Sequence, residues 1–229
     1  MGNLCIIPAR GGSKRIPRKN IKEFLGKPII AYSIEVALKS KLFDEVMVST
    51  DSEEIAKIAR QYGAKVPFFR SKKTADDFAT IENVIEEVID WYKMNGREFD
   101  NFCCIFSTTP LLKPEHLLES HTLFLKNKFD ALFPVIRFSY PIQRALKLQK
   151  GRIIMAEPKY IHSRSQDLEP LFHDAGMFYW MKTKKFCQTL EILCDNTGMF
   201  ELSELEVQDI DNMTDWVLAE LKYKLLSRS

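Results

Sequence analysis

The sequence predicts an α/β protein whose mainly parallel sheet is covered by helices on both faces. Apolar, strand-like runs alternate with helix-like segments from Leu4 to Ile136. This alternation is typical of βα units, because the helix carries the chain back so that the next strand runs parallel to the previous one. With 229 residues, of which 45% are hydrophobic, the chain can bury one substantial core. We therefore expect residues 1–229 to form a single domain.

The first elements have local sequence signals. Leu4–Ile7 is an apolar run and predicts a buried strand. Pro28 suits the first turn of a helix that runs to about Lys39. Glu45–Ser49 predicts the next strand, and Asp51 or Ser52 is expected to cap a helix that ends near residue 62.

The same alternation continues through the rest of the chain. Apolar residues at helical spacing, such as Ile81, Val84, Ile85 and Val88, predict a long amphipathic helix. This helix is expected at about Thr80–Met94. The elements predicted after it are, in order, a strand at Phe102–Phe106, a helix from Pro114 to about Lys126, strands at Ala131–Ile136 and Gly176–Met181, and a terminal helix at about Asn212–Leu226.

Residues 138–158 do not fit another βα unit. They predict an irregular or hairpin excursion, and such an insertion is a candidate dimerisation arm. We found no internal repeat, low-complexity tract or glycine-serine linker that would divide the chain.

The segment from Leu4 to Asn20 is rich in glycine and basic residues. A strand-like run opens into Pro8 and the Gly11-Gly12 pair, followed by a loop with no acidic residue before Glu23. Its cations are Arg10, Lys14, Arg15, Arg18 and Lys19. Glycines let backbone N–H groups approach an anion, and open α/β sheets bind ligands at the carboxyl ends of their strands. The loop therefore predicts a triphosphate cradle, and its alternative is a solvated basic surface loop.

Common glycine-rich motifs are missing from this loop. The sequence contains neither G-x-x-x-x-G-K-[ST] nor G-x-G-x-x-G. It therefore favours neither an ATPase-type phosphate loop nor a dinucleotide-binding dehydrogenase.

An acidic segment lies near the other end of the chain. Between Glu201 and Asp215 there are six acidic residues and no lysine or arginine. Asp209 and Asp211 occupy alternate positions, so on an extended backbone both point to one face and can share a hard cation such as Mg²⁺. The alternative is that Asp211 caps the terminal helix. Together, the basic and acidic segments predict a site where cations grip phosphate oxygens beside a metal.

Composition and cysteine spacing argue against several other classes of protein. Thirty-three basic and thirty-one acidic residues give a formal charge of only +2, which gives little support to nucleic-acid binding. The five cysteines form no C-x-x-C pair, so a zinc site is not expected. Three of them lie in apolar runs and are expected to be buried thiols in a reducing cytosol. No signal-peptide pattern or membrane-spanning run is evident, and we expect a cytoplasmic protein without membrane contact.

Several long segments resemble the acylneuraminate cytidylyltransferase family, whose members make CMP-activated sugar acids from CTP. The similar segments are IIPARGGSKRIPRKNIKEFLGKPIIAYSI, EVMVSTDSEEIA, VPFFR, STTPL, RSQDLEPLFHDAGMFYW and VQDIDNMTD, which together span nearly the whole chain. The resemblance implies a Rossmann-like nucleotidyltransferase fold, a Mg²⁺ cofactor and a homodimer. It also implies attack by the anomeric hydroxyl of a nonulosonic acid on the α-phosphorus of CTP.

Within that family, PIQRAL, RSQDLE and HDAG most resemble the branch that acts on pseudaminic acid. Sialic acid synthetases typically have glutamine-proline before the Thr-Ser-Pro-Leu turn, where this chain has Phe106-Ser107-Thr108-Thr109, so a glutamine contact to the nucleotide is not carried over. They also have Asn-Gly-Ala where this chain has Asp174-Ala175-Gly176. Legionaminic or neuraminic acid is the alternative acceptor, and a non-catalytic nucleotide-binding regulator is the alternative from a different class.

The resemblance also implies roles for individual residues. The expected catalytic residues are Arg10, Lys19, Asp209 and Asp211, of which the two aspartates hold the metal. The expected nucleotide-binding residues are Ala9, Arg10, Gly11, Ser13, Lys14, Lys19, Asn20 and Arg70. The expected sugar-binding residues are Gln143, Arg144, Arg164, Gln166 and Asp174, with Arg164 as the partner of the sugar carboxylate because its planar fork fits two oxygens. His173 is expected to pack or support the site, and Tyr179 and Trp180 are expected to lie in the core.

Overall fold

The computed structural model describes residues 2–76 and 78–227, and within them strands and helices alternate as predicted. The strands β1 to β11 are, in chain order, Asn3–Pro8, Glu23–Phe24, Lys27–Pro28, Glu45–Ser49, Asn101–Ile105, Ala131–Arg137, Leu146–Gln149, Arg152–Met155, Phe172–Asp174, Phe178–Lys182 and Thr197–Glu201. The α-helices α1 to α7 are Ile29–Ser40, Glu53–Gln61, Lys72–Ala75, Ile81–Met94, Pro114–Lys126, Thr183–Thr189 and Met213–Leu226.

The central sheet is mainly parallel. Its strand order is β11-β6-β10-β5-β1-β4, and β9 pairs with β6 beside this path. Strand β1 runs parallel to both β4 and β5, and β11 runs parallel to β6. Strand β10 is antiparallel to its neighbours β5 and β6. The predicted α/β fold is confirmed, with one reversed strand in the middle of the sheet.

Both faces of the sheet are buried under helices. Along β1, Cys5 and Ile7 pack with Ile34 of α1 in one core cluster. Leu4 and Ile6 pack on the opposite face, in a second cluster that includes residues of α4 and α6. Successive strand residues point to opposite faces, so a wholly apolar strand is what a sheet covered on both sides requires.

Most predicted boundaries agree with the structure to within a few residues. Helix α5 has the predicted bounds, and Pro114 occupies its first turn. Ser52 caps α2, because its hydroxyl accepts a hydrogen bond from the backbone N–H of Ile55 at 3.5 Å. Strands β9 and β11 and helix α6 were not predicted, since each is short and its exposed and buried residues follow no clear period.

Residues 138–158 were predicted to form an irregular or hairpin excursion. They contain the antiparallel hairpin β7–β8. The hairpin exposes large apolar side chains, including Leu148 at 76% and Ile153 at 71%. Isolated two-stranded hairpins are at best marginally stable in water, and these side chains add little to the stability of this one while they remain exposed.

A buried carboxylate, that of Glu45, links β4 to the C-terminal end of α4. Glu45 accepts hydrogen bonds from the side chains of Lys65, Tyr92 and Arg97. Burial would raise the pKa of Glu45, but these hydrogen bonds together hold it below its ordinary value.

The thiols lie as expected. Cys5, Cys103 and Cys104 are buried without disulfide bonds, and burial raises the pKa of each thiol. Within the described part of the chain, no helix has the length and apolarity needed to cross a membrane.

Candidate active site

A third apolar cluster joins the two charged segments. Ile16 from the basic loop packs with Ile210, which separates Asp209 from Asp211, and with Trp216 of α7. Ile210 is fully buried and Ile16 is 2% exposed. Burying these apolar residues together brings the charged residues beside them into proximity, because the neighbouring backbone has little freedom to move away.

The predicted convergence of opposite charges is present. Lys19 Nζ donates a 2.7 Å hydrogen bond to the backbone carbonyl of Ile210, 191 positions away in the sequence. The same ammonium lies 3.9 Å from Asp211 Oδ1, and Arg15 Nη1 lies 2.6 Å from Asp211 Oδ2. Burial lowers the pKa of Lys19, although the charges of Asp211 and Asp209 oppose that change. Lys19 is therefore fixed where both segments meet.

Asp211 does not cap the terminal helix. That role belongs to Asn212, whose side-chain oxygen accepts hydrogen bonds from the backbone N–H groups of Thr214 and Asp215. Asp215 completes the capping box, because its carboxylate accepts hydrogen bonds from the backbone N–H groups of Asp211 and Asn212, both at 2.9 Å. The capping interpretation of Asp211 was wrong, and its carboxylate instead faces the basic loop.

A cavity of about 240 Å³ lies at the carboxyl end of β1. Six of the eight residues predicted to bind the nucleotide line it: Arg10, Ser13, Lys14, Lys19, Asn20 and Arg70. The lining also includes Thr80, at the start of α4, and Ser107 and Thr108, which follow β5. Because β1 and β5 are parallel neighbours, their carboxyl ends meet at this edge of the sheet.

Ala9 and Gly11, the other two predicted nucleotide-binding residues, use their backbone N–H groups within the chain. Ala9 N donates to the carbonyl of Ser49, and Gly11 N donates to Asp51 Oδ1 at 2.8 Å. A Cβ atom at residue 11 would lie 3.3 Å from the Cβ of Ser52, so glycine allows this close approach. These residues shape the turn that presents the neighbouring cations.

Asn20 connects the basic loop to the strand at its side. Its amide nitrogen donates to the carbonyl of Arg10 at 2.8 Å, and its amide oxygen accepts from Ser107 Oγ at 2.9 Å. Sequence reasoning missed Ser107. Its position immediately after the predicted strand 102–106, next to β1, was the available signal, since ligands bind at that edge of such sheets.

Arg70 is a buried side chain, not a surface arginine, with 8% of its area exposed. Its Nε donates to Ser49 Oγ at 3.1 Å, and its Nη2 donates to the Ser49 carbonyl at 2.8 Å. Burial lowers the pKa of Arg70, and the charges of Asp51 and Glu87 counter part of that effect. These bonds hold the guanidinium in the wall of the cavity at the carboxyl end of β1.

A second cavity, of about 350 Å³, lies on the other side of the acidic segment. Its wall includes Asp209 together with Arg137, His173, Asp174 and Lys222. Partial desolvation, with the nearby charge of Asp211, raises the pKa of Asp209, and the charge of Lys19 opposes the rise. Asp209 thus belongs to the wall of one cavity and interacts electrostatically with a lysine that lines the other.

Asp174 lines the second cavity, but both of its carboxylate oxygens already accept hydrogen bonds. Oδ1 accepts from Gly176 N at 2.7 Å, and Oδ2 accepts from the hydroxyl of Tyr179 at 2.6 Å. Gly176 has φ +62°, and a Cβ atom there would lie 3.8 Å from the carboxyl carbon of Asp209. Asp174 therefore orders the turn beside Asp209.

The aromatic neighbours of this turn lie largely as expected. Trp180 is fully buried, and the ring of Tyr179 packs edge-to-face against Phe106 and Phe133. The ring of His173 contacts Phe138 at 4.8 Å between centroids, consistent with its predicted packing role.

The remaining predicted sugar-binding residues lie on and near the arm. Gln143 Nε2 donates to the carbonyl of Glu169 at 2.8 Å, and Gln166 lines a further cavity at the base of the arm. Arg144 donates to Ser165 Oγ at 3.3 Å. Arg164 Nε lies 2.8 Å from Asp167 Oδ2, with 73% of the arginine side chain exposed. Neither Arg144 nor Arg164 lines the two cavities beside the acidic segment.

The fold and the site together define a nucleotide-binding α/β protein of the open-sheet class. Comparison with known families is more specific: the family model described as cytidylyltransferase matches residues 4–203, and the chain belongs to this family of enzymes.

Similar proteins support this assignment. A relative from Campylobacter jejuni, named pseudaminic acid cytidylyltransferase, is 45% identical over 98% of this chain and 97% of its own length. A relative from Legionella pneumophila, named CMP-N,N'-diacetyllegionaminic acid synthase, is 34% identical over 95% of this chain and 94% of its own length. The solved structure of CMP:2-keto-3-deoxy-manno-octonic acid synthetase complexed with CTP superimposes with a TM-score of 0.71 over 100% of both chains. Its sequence is 17% identical, so that likeness concerns the fold.

Proposed function

We propose that this enzyme transfers CMP from CTP to the anomeric hydroxyl of pseudaminic acid and releases pyrophosphate. The similarity to the Campylobacter relative supports the choice of acceptor. The observation that carries the chemistry is the contact of Lys19 Nζ with the Ile210 carbonyl, between two carboxylates. It joins a basic cavity suited to a triphosphate to an acidic segment suited to a cation.

On the nucleotide side, the loop cations bind and orient the triphosphate. Arg10, Lys14 and Lys19 line one cavity, so their charges act on the same phosphate chain. Lys19 stabilises the negative charge that develops at the reacting phosphorus, because its position is fixed before the reaction begins. Asn20 has one amide hydrogen beyond its bond to Arg10, and this donor serves the ribose. Ser13 and Arg70 complete the wall.

The donor set at the acidic segment fits Mg²⁺. Asp209 and Asp211 offer hard oxygen ligands, and a cation would offset the mutual repulsion that contributes to the raised pKa of Asp209. No cluster of three or more His, Cys, Asp or Glu suited to a metal occurs in the described ranges, so phosphate oxygens would provide further ligands. When bound, Mg²⁺ supplies neutralisation of phosphate charge. Asp209 and Asp211 would hold it.

The arm suggests how two copies of the chain associate. Leu146, Leu148 and Ile153 expose 64%, 76% and 71% of their surface, and a second copy would remove this apolar area from water. In such a homodimer, arm residues such as Arg144 would reach the neighbouring subunit's site. Leu148→Glu should then shift the sedimentation coefficient towards that of a monomer, whereas unchanged sedimentation contradicts the arm as the interface. We also place the enzyme in the cytoplasm, where CTP and reduced thiols coexist.

The acceptor is tested with a matched set of purified sugar acids. Pseudaminic, legionaminic and N-acetylneuraminic acid are each assayed with CTP and Mg²⁺ for pyrophosphate release, at equal concentrations. We expect the highest kcat/KM with pseudaminic acid. A higher value with either other acid would reassign the substrate, and CTP binding without turnover on any acid would indicate a non-catalytic nucleotide-binding protein.

A further inference from the structure

The cavity behind Asp209 has the position expected for the acceptor. Lys19 lines the cavity at the carboxyl end of β1, here called the nucleotide-side cavity. Its ammonium donates a 2.7 Å hydrogen bond to the carbonyl of Ile210, the residue that follows Asp209, and Asp209 lines the second cavity. A group held in the second cavity therefore lies across the catalytic carboxylates from the triphosphate. The two reactants need such an arrangement, because the attacking oxygen must reach the phosphorus without displacing the nucleotide.

The chemistry of the acceptor restricts where its carboxylate can bind. In the ring form of a 2-keto sugar acid, the anomeric carbon carries both the carboxylate and the hydroxyl that attacks phosphorus. A side chain that binds this carboxylate must therefore lie in the same cavity as the residues that act on the hydroxyl. The wall that contains Asp209 includes one arginine, Arg137, and one lysine, Lys222.

These two cations differ in the hydrogen bonds that their side chains make within the protein. Lys222 Nζ donates to the carbonyls of Glu204 and Val207, at 2.8 and 2.7 Å, so it fixes the chain that leads to Asp209. Arg137 is the exposed last residue of β6, and across residues 2–76 and 78–227 its side chain makes no hydrogen bond or ion pair. Its planar fork can donate hydrogen bonds to both carboxylate oxygens without breaking an existing contact.

We infer that Arg137 binds the carboxylate of the acceptor sugar acid and so selects 2-keto acids over neutral sugars. This inference rests on the proposed function. It replaces the residue expected from the family resemblance, since that resemblance pointed to Arg164 for this role. Arg164 is ion-paired with Asp167 and does not line the cavity that contains Asp209. Arg137, in contrast, lines that cavity together with Asp209.

The test compares pseudaminic acid with its carboxamide analogue on wild type, Arg137→Ala, Arg137→Lys and Arg164→Ala. Wild type should favour the acid by roughly 10- to 100-fold in kcat/KM, as expected for one charged hydrogen-bonded contact. Arg137→Ala should lose most of this preference through a higher KM for the acid, with KM for CTP within about twofold of wild type. Arg137→Lys should retain part of it, because the charge remains without the fork. Lys126→Ala, at the exposed end of α5, is the charge-matched control.

Each outcome decides the inference. Both acceptors are measured on one enzyme preparation, so a loss of folded protein lowers both rates equally and cannot imitate a lost preference. Preserved preference in Arg137→Ala, or its loss in Arg164→Ala alone, overturns the role of Arg137 while leaving the proposed function intact. The absence of any preference in wild type also overturns it. If wild type turns over no nonulosonic acid with CTP, the proposed function fails and this inference fails with it.

Discussion

Replacing Lys19 with alanine should show whether its charge serves catalysis or only the stability of the fold. Lys19 donates one 2.7 Å hydrogen bond to the Ile210 carbonyl, and 20% of its side chain is exposed. A hydrogen bond that involves a charged group contributes about 1.5–3 kcal/mol. For a protein of this size, that loss corresponds to a Tm decrease of roughly 3–12 °C. The variant should therefore remain folded at 25 °C.

The effect of Lys19→Ala on turnover should be much larger. A fixed donor directed at charge that develops in the transition state is worth about 2.7–4 kcal/mol, or roughly 100- to 1,000-fold in kcat. Turnover is measured as pyrophosphate release at saturating CTP and sugar acid, and Tm is measured by circular dichroism on the same preparation. Lys22→Ala is the control, because Lys22 is an exposed cation of the same segment whose ammonium lies over the ring of Trp216, at 5.6 Å from its centre.

Two results would refute this reasoning about Lys19. If Lys19→Ala keeps more than about a tenth of wild-type kcat, the ammonium does not stabilise the reacting phosphate. If Lys22→Ala loses as much activity as Lys19→Ala, the effect reflects the general charge of the loop and not the position of Lys19.

Three further predictions concern the metal, the fold and the nucleotide. Asp211→Asn removes a ligand charge at nearly constant volume, so the Mg²⁺ concentration for half-maximal turnover should rise at least tenfold; an unchanged titration would argue against metal binding there. Glu45 has a lowered pKa, so its ionised form stabilises the fold above the unfolded pKa near 4.5, and this contribution is lost as pH falls through the folded value. Glu45→Gln should cost about 1–3 kcal/mol at pH 7 and flatten the acid limb of the Tm–pH curve, whereas a wild-type curve would contradict this. Ser107→Ala removes the donor to Asn20 and should weaken CTP binding roughly 2- to 10-fold by calorimetry, with unaltered affinity as the contrary result.

The order of elements was readable from the sequence because their local signals are strong. Pro114 marks the start of α5, and the apolar run Val46–Val48 within β4 has no competing helical period. The direction of β10 was not readable. Its residues Phe178–Lys182 are apolar enough for a central strand, but nothing in their pattern distinguishes a strand that runs against its neighbours.

The site was predicted in part for a comparable reason. Lys19 and Asp211 could be identified from the sequence because each lies in a segment where residues of one charge are clustered. Arg137 and Ser107 stand alone in the sequence. Only the places of β6 and β5 in the sheet, on either side of β10, bring them to the cavities. The cap at Asn212 shows the reverse difficulty, because the adjacent residues Asp211 and Asn212 can each cap a helix, and backbone geometry decides between them.

The contact between the basic loop and Asp211 must also be easy to break if both segments are to bind ligands. Arg15 and Asp211 form an ion pair, with 69% and 40% of their side chains exposed. Such pairs contribute about 0–1 kcal/mol, because water and salt screen them. A triphosphate attracts Arg15 and a divalent cation attracts Asp211, so each can replace a weak contact with a stronger one. The buried packing of Ile16 against Ile210 does not depend on this pair and holds the two segments together while the charges exchange partners.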